Sequence, residues 1–218
     1  MALVDVLVAG TVRHHDDGNI IWTAVSLIRS QGTVMLFDPG TFQQRFAVKR
    51  RLEALGLAPR DVQRVVLSHL HWDHVLNFEM FREAEFVLTR AEWDSVQREP
   101  ERDTATPRFL WAALESQVSV RMADEVGWPG DVQVCPVPGH TVGHLALAVD
   151  TAQGRVMLAG DALPNQESWR SGSPDPIFYS REKARRSLAY ILGHSDVIVP
   201  GHGEPFFTKT GLPAGRTF

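Results

Sequence analysis

Side chains that commonly bind metal ions are concentrated in one short stretch of the chain. Residues 68–74 read SHLHWDH and contain His69, His71, Asp73 and His74, although all 218 residues include only nine histidines. Imidazole nitrogens and carboxylate oxygens are the usual protein ligands of zinc and of related divalent ions. The stretch therefore predicts part of a metal site, whose remaining ligands must come from elsewhere in the chain.

Three later stretches have the same character. They read PGHTVGH at 138–144, AGD at 159–161 and PGHG at 200–203, and each follows an apolar run typical of a strand. Glycine lets the backbone turn sharply at a strand end, so such a loop can hold a ligand on a rigid scaffold. The four stretches supply seven candidate ligands, which are His69, His71, Asp73, His74, His140, Asp161 and His202.

The number of candidate ligands favours two metal ions over one. Seven are too many for one tetrahedral ion, whereas two ions that share a carboxylate and a water use them all. Paired sites of this kind hold their ions about 3.5–4 Å apart. Five imidazoles and two carboxylates, without a thiolate, suit zinc, with iron or manganese as the alternatives. We therefore expect a dinuclear centre of two divalent ions.

Each candidate also has an ordinary structural explanation when it is taken alone. A single histidine near a strand end is more often a surface residue or a hydrogen-bonded core residue. Asp73 could be an acidic residue at a helix start, and Asp161 could cap a turn. The coincidence of four stretches favours the metal site. Among their neighbours, Trp169 is predicted to line the pocket, whereas His144 is either a strand residue or a hydrogen-bond partner of a ligand.

The elements that must position these residues begin with strands. Alternating apolar residues in LVDVLVAG and AVSLIRS, and the apolar run TVMLFD, predict short antiparallel strands within the first 38 residues, with turns at 17–18 and 31–32. A helix is predicted over 42–55, because apolar residues recur there every three or four positions and Gly56 follows.

The rest of the chain mixes strands and helices. VQRVVLS is predicted as a buried strand that leads into SHLHWDH, VLNFEMFREA as a short helix and EFVLT as a strand. A mostly helical insertion is expected around 89–117, interrupted near Pro100 and Pro107. Four further strands (VSVRMA, VQVCPVP, HLALAVD and RVMLAGD), a loop over 164–176, a helix over 181–192 and the strand DVIVP complete the pattern.

Two sheets covered by helices on their outer faces fit this order of elements better than a simple βαβ series, so the pattern alone predicts a fold class of α/β or α+β. Residues 1–218 are expected to form a single domain. Hydrophobic residues make up 44% of the chain and charged residues 22%, an ordinary globular composition.

Composition also limits the partners and the compartment. The net charge of −4 provides no basic field for a phosphate backbone, so nucleic acid is not favoured.

The single cysteine, Cys135, cannot form an intramolecular disulfide and is predicted to be a small buried side chain. A reducing cytoplasm is therefore the default location. No apolar run approaches the ~20 residues that cross a bilayer, so no membrane contact is expected. The expected partner is a small-molecule substrate, and a homodimer is left open.

The motif HLHWDH resembles the H-x-H-x-D-H motif of the metallo-β-lactamase superfamily, and His140, Asp161 and His202 follow in the order that this family uses. The resemblance covers nearly the whole chain. It implies an αββα sandwich with the metals at one edge, between the two sheets. It assigns His69, His71 and His140 to the first metal, Asp73, His74 and His202 to the second, and Asp161 to a bridge between them.

The activity that this resemblance implies is hydrolysis by a hydroxide that bridges the two metals, with Asp73 orienting the water or returning a proton to the leaving group. A small ester, lactone or thioester is the expected substrate. The histidine at position 71 argues against the flavodiiron branch, which has a carboxylate there. The presence of Asp161 argues against true β-lactamases, which generally lack it, and the missing C-terminal helical domain argues against glyoxalase II.

Within the family, two groups resemble the chain further. Quorum-quenching lactonases share the metal motifs but place a tyrosine where this chain has Pro164, which leaves Tyr179 as a candidate substitute. The metallo-β-lactamase domain-containing protein 1 group resembles the chain in ESW at 167–169 and in SDVIVPGHGEPF near the end. Three alternatives remain: a phosphodiesterase or nuclease that uses the same centre, a mononuclear iron dioxygenase of the persulfide type, and a catalytically silent metal-binding protein, against which the complete ligand set argues.

Overall fold

The computed structural model describes residues 1–98 and 103–218. The N-terminal strands are β1 (Leu3–Val8), β2 (Thr11–His15), β3 (Gly18–Trp22), β4 (Val25–Ser30) and β5 (Thr33–Phe37). β1 pairs with β4 and β4 with β5, both antiparallel, while β2 and β3 form a separate hairpin. The predicted antiparallel arrangement of this part of the chain is therefore confirmed.

The predicted helix over 42–55 is present but begins with a tighter turn. A 3-10 turn over Phe42–Gln44 leads into α1 (Arg45–Ala54), and Gly56 follows with φ +75°. Val48 and Leu52 are buried, whereas Phe42 and Phe46 are 54% and 84% exposed. The 3-10 turn has about three residues per turn instead of 3.6 and so changes the phase of the side chains. The apolar stripe inferred from the sequence was therefore too wide.

Three parallel strands extend the first sheet. β6 (Arg64–Val66), β7 (Glu85–Leu88) and β8 (Ser119–Met122) follow β5, which gives the order β1-β4-β5-β6-β7-β8. Between β6 and β7 lie the short helix α2 (Trp72–Val75) and a 3-10 turn over Phe78–Phe81, instead of the single helix that was predicted. Asn77 separates them, and its side-chain amide donates a hydrogen bond to the carbonyl of Pro39.

Two helices lie between β7 and β8, as the sequence predicts. They are α3 (Arg90–Arg98) and α4 (Leu110–Gln117). The predicted interruption near Pro107 is confirmed, since Pro107 accepts a hydrogen bond from Leu110 just before α4. The predicted interruption near Pro100 lies outside the described residues. The segment also touches the first ligand stretch, because the amide of Trp72 donates to the carbonyl of Ala105 at 3.0 Å.

The second sheet has the order β13-β12-β11-β10-β9. Its strands are β9 (Val132–Pro136), β10 (Leu145–Thr151), β11 (Gly154–Gly160), β12 (Val197–Pro200) and β13 (Phe206–Phe207), with the helices α5 (Gln166–Ser171) and α6 (Arg181–Gly193) between β11 and β12. The prediction of a loop over 164–176 is wrong in part, because α5 lies within it. Asn165 caps its first turn, accepting from the amide of Ser168, and Gly172 ends it with φ +69°.

Three hydrophobic clusters define the layers. Ile28 and Met35 of the first sheet pack with Leu147 and Leu158 of the second. A second cluster lies against α1, α3 and α4, and a third lies against α6. The order helix, sheet, sheet, helix confirms the predicted αββα sandwich. In the described part of the chain, no helix is long and apolar enough to span a membrane.

The ligand stretches meet at one edge of this sandwich. SHLHWDH follows β6 of the first sheet, whereas the other three stretches follow β9, β11 and β12 of the second. Two main-chain hydrogen bonds hold these loops together. The amide of Leu145 donates to the carbonyl of Ser68 at 2.9 Å, and the amide of Gly201 donates to the carbonyl of Gly160 at 3.0 Å.

Candidate metal centre

All seven predicted ligands lie in one cluster. We call His69, His71 and His140 the first half-site, and Asp73, His74 and His202 the second half-site. The ligand atoms of the first half-site and Asp161 lie within 4.8 Å of one another, as do those of the second half-site. The cluster is almost wholly buried, with only His202 partly exposed. The grouping matches the sets that the family resemblance implies, while the metal-binding role of each residue stays a prediction.

The carboxylate of Asp161 lies between the half-sites. Its Oδ2 is 3.4 Å from Nε2 of His140 and 3.2 Å from Nε2 of His202. Its Oδ1 is 3.4 Å from Nε2 of His74. Because its two oxygens face donors of both half-sites, the side chain is placed as a bridging carboxylate would be.

The ring nitrogens of His140 and His202 that point away from the cluster are held by main-chain carbonyls. Nδ1 of His140 donates to the carbonyl of Pro176 at 2.7 Å, and Nδ1 of His202 donates to that of Trp22 at 3.0 Å. A carbonyl can only accept, so in the neutral ring the hydrogen lies on the outer nitrogen and the lone pair on the inner one. Such contacts fix the tautomer that binds a metal.

Carboxylates and a hydroxyl hold the other three rings. Nδ1 of His74 lies 2.8 Å from Oδ2 of Asp38, and Nδ1 of His69 lies 2.9 Å from Oγ of Ser68. His71 is turned the other way. Its Nε2 lies 2.7 Å from Oδ2 of Asp103, and its Nδ1 faces Nε2 of His140 at 3.0 Å. All five imidazoles therefore direct one nitrogen into the cluster.

The buried atoms inside the cluster fit divalent metal ions. Nε2 of His69, Nε2 of His74 and Oδ1 of Asp161 are buried without a hydrogen-bond partner. Leaving a buried polar atom unsatisfied costs about 1–3 kcal/mol, so three such atoms in one place require an explanation. Convergent imidazoles and a shared carboxylate are a donor set that suits zinc, iron or manganese. Two divalent ions would satisfy these atoms together.

Burial keeps His69 and His140 in the form that binds metal. It lowers the pKa of His140 to about 4, although the charge of Asp161 acts in the opposite direction. Burial and the neighbouring imidazoles hold the pKa of His69 well below its usual range. A neutral imidazole keeps the lone pair that a metal needs, so these rings do not have to lose a proton near neutral pH before they bind an ion.

The second half-site favours a positive charge. Burial acts to lower the pKa of His74, but the charges of Asp73 and Asp161 outweigh it and raise this pKa well above its usual range. The pKa of Asp161 lies well below its usual range, because the charges of His202 and His74 outweigh the effect of burial. The carboxylates therefore create a negative potential, which a bound cation would relieve.

Three carboxylates near the cluster escaped the sequence-based prediction. Asp38 lies against His74, Asp103 against His71, and Glu92 against the loops that hold His69, His71 and His140. Asp38 ends an apolar strand in LFDPG, which is the same signal that drew attention to Asp161 in AGD. Glu92 and Asp103 gave no such signal, since each resembles an ordinary surface charge in the segment 89–117.

The structure also shows the contacts of His144, Trp169 and Tyr179, which the sequence analysis singled out beside the seven candidate ligands. Nε2 of His144 accepts a hydrogen bond from the amide of Asp161 at 3.0 Å, so this histidine is the partner of a predicted ligand. Trp169 packs on Phe206 in the cluster beside α6, with ring centroids 5.7 Å apart, and its place in the pocket stays a prediction. The hydroxyl of Tyr179 accepts a hydrogen bond from Lys183 at 3.0 Å.

Phe178 was not selected from the sequence, yet it reaches the cluster. Its ring centroid lies 4.7 Å from that of His71 and 5.3 Å from that of His140. The side chain is 36% exposed, so part of the ring faces solvent beside the first half-site.

Comparison with known proteins agrees with this geometry. The family model of the metallo-beta-lactamase superfamily matches residues 23–202. Metallo-beta-lactamase domain-containing protein 1 of Xenopus laevis is 32% identical over 84% of this chain and 71% of its own length. An N-acyl homoserine lactonase of a Bacillus species is 27% identical over 69% of this chain, and the aligned region spans 60% of the lactonase.

Solved structures show the same fold. A metallo-beta-lactamase candidate from Thermotoga maritima superimposes with a TM-score of 0.76 at 23% identity, covering 94% of this chain and 99% of that protein. A dizinc quorum-quenching lactonase superimposes with a TM-score of 0.63 at 18% identity, covering 81% and 70% of the two chains.

Proposed function

The chain belongs to the metallo-β-lactamase superfamily and is a metallo-hydrolase of that superfamily, and from this premise we propose that it hydrolyses a small ester, lactone or thioester at a centre of two zinc ions. The observation that carries the proposal is that six other candidate ligands surround the carboxylate of Asp161, which faces both half-sites. The seven candidate ligands would hold two divalent ions, which would supply a water of lowered pKa and an electrophile for the carbonyl oxygen of the substrate.

The protein side chains orient the reacting groups. The first half-site and Asp161 fix the position at which one ion would be held, and their outer hydrogen bonds keep the rings from rotating. Asp73 lies in the second half-site, with Oδ2 at 3.4 Å from His74 Nε2 and 3.5 Å from His202 Nε2. From there its carboxylate is placed to orient the attacking water and to return a proton to the leaving oxygen or sulfur.

The surroundings of the cluster favour a carbonyl substrate over a polyanion. In the described part of the chain, the groups that contact the ligands include carboxylates, hydroxyls, main-chain groups, the imidazole of His144 and the ring of Phe178. A phosphodiester is negatively charged and is repelled by these carboxylates, whereas an ester or a lactone is neutral. The Bacillus lactonase and the dizinc lactonase support a lactone as one of the substrates to be tried.

Elemental analysis and a panel of three substrates test the proposal. We expect close to two zinc ions per chain, and a kcat/KM for an aryl ester or an acyl-homoserine lactone that exceeds the value for a bis-aryl phosphate at least tenfold. A tenfold ratio corresponds to about 1.4 kcal/mol in transition-state binding. A reversed ratio would favour a phosphodiesterase, and one iron with negligible zinc would favour a mononuclear iron dioxygenase.

The exposed part of Phe178 is expected to contact the acyl group of the substrate. Phe178→Ala should raise KM for a hexanoyl aryl ester about fivefold, because burying ~40 Å² of apolar surface contributes ~1 kcal/mol. The KM for the acetyl ester should change less than twofold. The matched control is Phe207→Ala, since Phe207 is similarly exposed, at 42%. Phe207 lies on β13 and pairs with Val197 at the start of β12, whereas His202 lies beyond the other end of β12. Equal changes for both esters would rule out this contact.

A further inference from the structure

A buried carboxylate without an assigned role joins the two loops of the first half-site. Glu92 lies in the first turn of α3 and is only 2% exposed. Its Oε1 accepts a hydrogen bond from the amide of Leu70 at 3.1 Å. Its Oε2 accepts from Oγ1 of Thr141 at 2.8 Å and from the amide of Gly143 at 2.9 Å. The carboxylate thus binds three donors from two separate segments.

The donors that Glu92 binds lie next to the histidines of the first half-site in the sequence. Leu70 lies between His69 and His71, and Thr141 directly follows His140. These three histidines form the first half-site, although His71 and His140 are far apart in the chain. The carboxylate of Glu92 therefore links the two segments that supply the first half-site, in addition to the main-chain hydrogen bond from Leu145 to Ser68.

Close backbone packing supports this geometry. A Cβ atom at Gly143 would lie 2.1 Å from the amide nitrogen of Glu92, so the loop after His140 touches the start of α3 directly. Thr89 adds to the contact. Its hydroxyl donates to the carbonyl of Gly143 at 2.6 Å and accepts from the amide of Glu92 at 3.1 Å. The carboxylate is held against the loop without a flexible intermediary.

The second half-site has a different support. His74 is oriented by Asp38, and Nδ1 of His202 donates to the main chain of Trp22. The hydrogen bonds that Glu92 accepts come from Leu70, which lies directly between His69 and His71, and from Thr141 and Gly143, which follow His140. Loss of Glu92 should therefore affect the two half-sites unequally.

We propose that Glu92 is a positioning residue that fixes the spacing of the first half-site and thereby its affinity for a metal ion. The inference rests on the metal centre of the proposed function. Glu92→Gln is the direct test, because an amide presents an NH₂ group to a position where only hydrogen-bond donors converge. Outer residues that orient ligands typically change metal affinity 10–100-fold when they are replaced.

The experiment measures cobalt binding by each half-site separately. His202→Ala weakens the second half-site and His71→Ala the first, and each variant is freed of metal and titrated with Co²⁺ against a competing chelator. In the His202→Ala background, Glu92→Gln should raise the Kd for Co²⁺ at least tenfold. In the His71→Ala background, the change should stay below threefold. Asp94→Asn on the same helix is the matched control, since Asp94 pairs with Arg98 four residues later.

Two results would overturn the proposal. One is a change below threefold in the His202→Ala background, and the other is an equal loss in both backgrounds, which would indicate general destabilisation. If Glu92→Gln fails to fold, Thr141→Val removes one of the three donors and should shift the Kd in the same direction by a smaller factor. Cobalt affinity is measured without substrate, so absence of ester turnover in the parent protein would count against the proposed function and leave this test intact.

Discussion

Asp161→Asn is expected to lower kcat/KM at least ~100-fold and to reduce the metal content from two ions per chain to one or none. Replacing a residue that only orients metal ligands typically lowers metal affinity or activity 10–100-fold. Asp161 should have a larger effect, because its carboxylate itself faces both half-sites. Asparagine has nearly the same shape but presents an NH₂ group in place of one carboxylate oxygen. The measurements are elemental analysis and ester turnover on the same preparation.

The fold should survive this change. The hydrogen bond between residue 161 and His144 comes from the main-chain amide, so it does not depend on the side chain. Asp150→Asn is the matched control, because Asp150 is exposed on β10 and contacts Arg155. Full activity together with two bound ions in the Asp161 variant would exclude a bridging role for this carboxylate.

Gly201→Ala is also expected to weaken metal binding, although it changes no candidate ligand. A Cβ atom at this position would lie 2.0 Å from Oδ1 of Asp161, which is far inside van der Waals contact. The backbone cannot easily move away. Gly201 donates to the carbonyl of Gly160 at 3.0 Å, and its own carbonyl accepts from the amide of Ala24 at 2.7 Å. The carboxylate must therefore shift, and we expect metal affinity to fall more than tenfold, with a loss of activity at limiting zinc.

The matched control for this substitution is Gly193→Ala. A Cβ atom at Gly193, the last residue of α6, would meet no atom within 4 Å. Titration of both metal-free variants with zinc distinguishes a local clash from a general effect of adding a methyl group. If the Gly201 variant binds zinc like the parent protein, the loop after β12 can relax, and the packing argument is wrong.

The sequence allowed the ligand cluster to be predicted for a specific physical reason. Each of the four stretches places rare metal-binding residue types after an apolar strand, and three of the four contain glycine next to or near the ligand. These features are local, so they are visible without knowledge of the fold. The helix α5 had local signals too, namely Asn165 at its start and Gly172 at its end, but the surrounding prolines favoured a loop.

Two of the three carboxylates that support the cluster, Glu92 and Asp103, could not be predicted in the same way. Glu92 matters because Leu70, Thr141 and Gly143 surround it, and nothing in its own neighbourhood indicates those partners. Asp103 similarly depends on its contact with His71. The burial of individual side chains could not be predicted either, as the exposure of Phe42 and Phe46 shows. Periodicity identifies the apolar face of a helix, but it does not show how much of that face other elements cover.

The division of the ligands between the two sheets links metal supply to folding stability. SHLHWDH belongs to the first sheet and the other three stretches to the second, so bound ions would act as cross-links between the layers. In an unfolded chain these segments lie far apart, and closing such a long loop is entropically costly. Metal binding therefore stabilises only the folded state, in which the two sheets are packed together. The stabilisation is ~4 kcal/mol when the free metal concentration exceeds the Kd a thousandfold. When metal is scarce the chain would lose this cross-link as well as its catalyst, and the apolar surfaces around Ile28 and Leu147 would become exposed more often to proteases and to other unfolded chains.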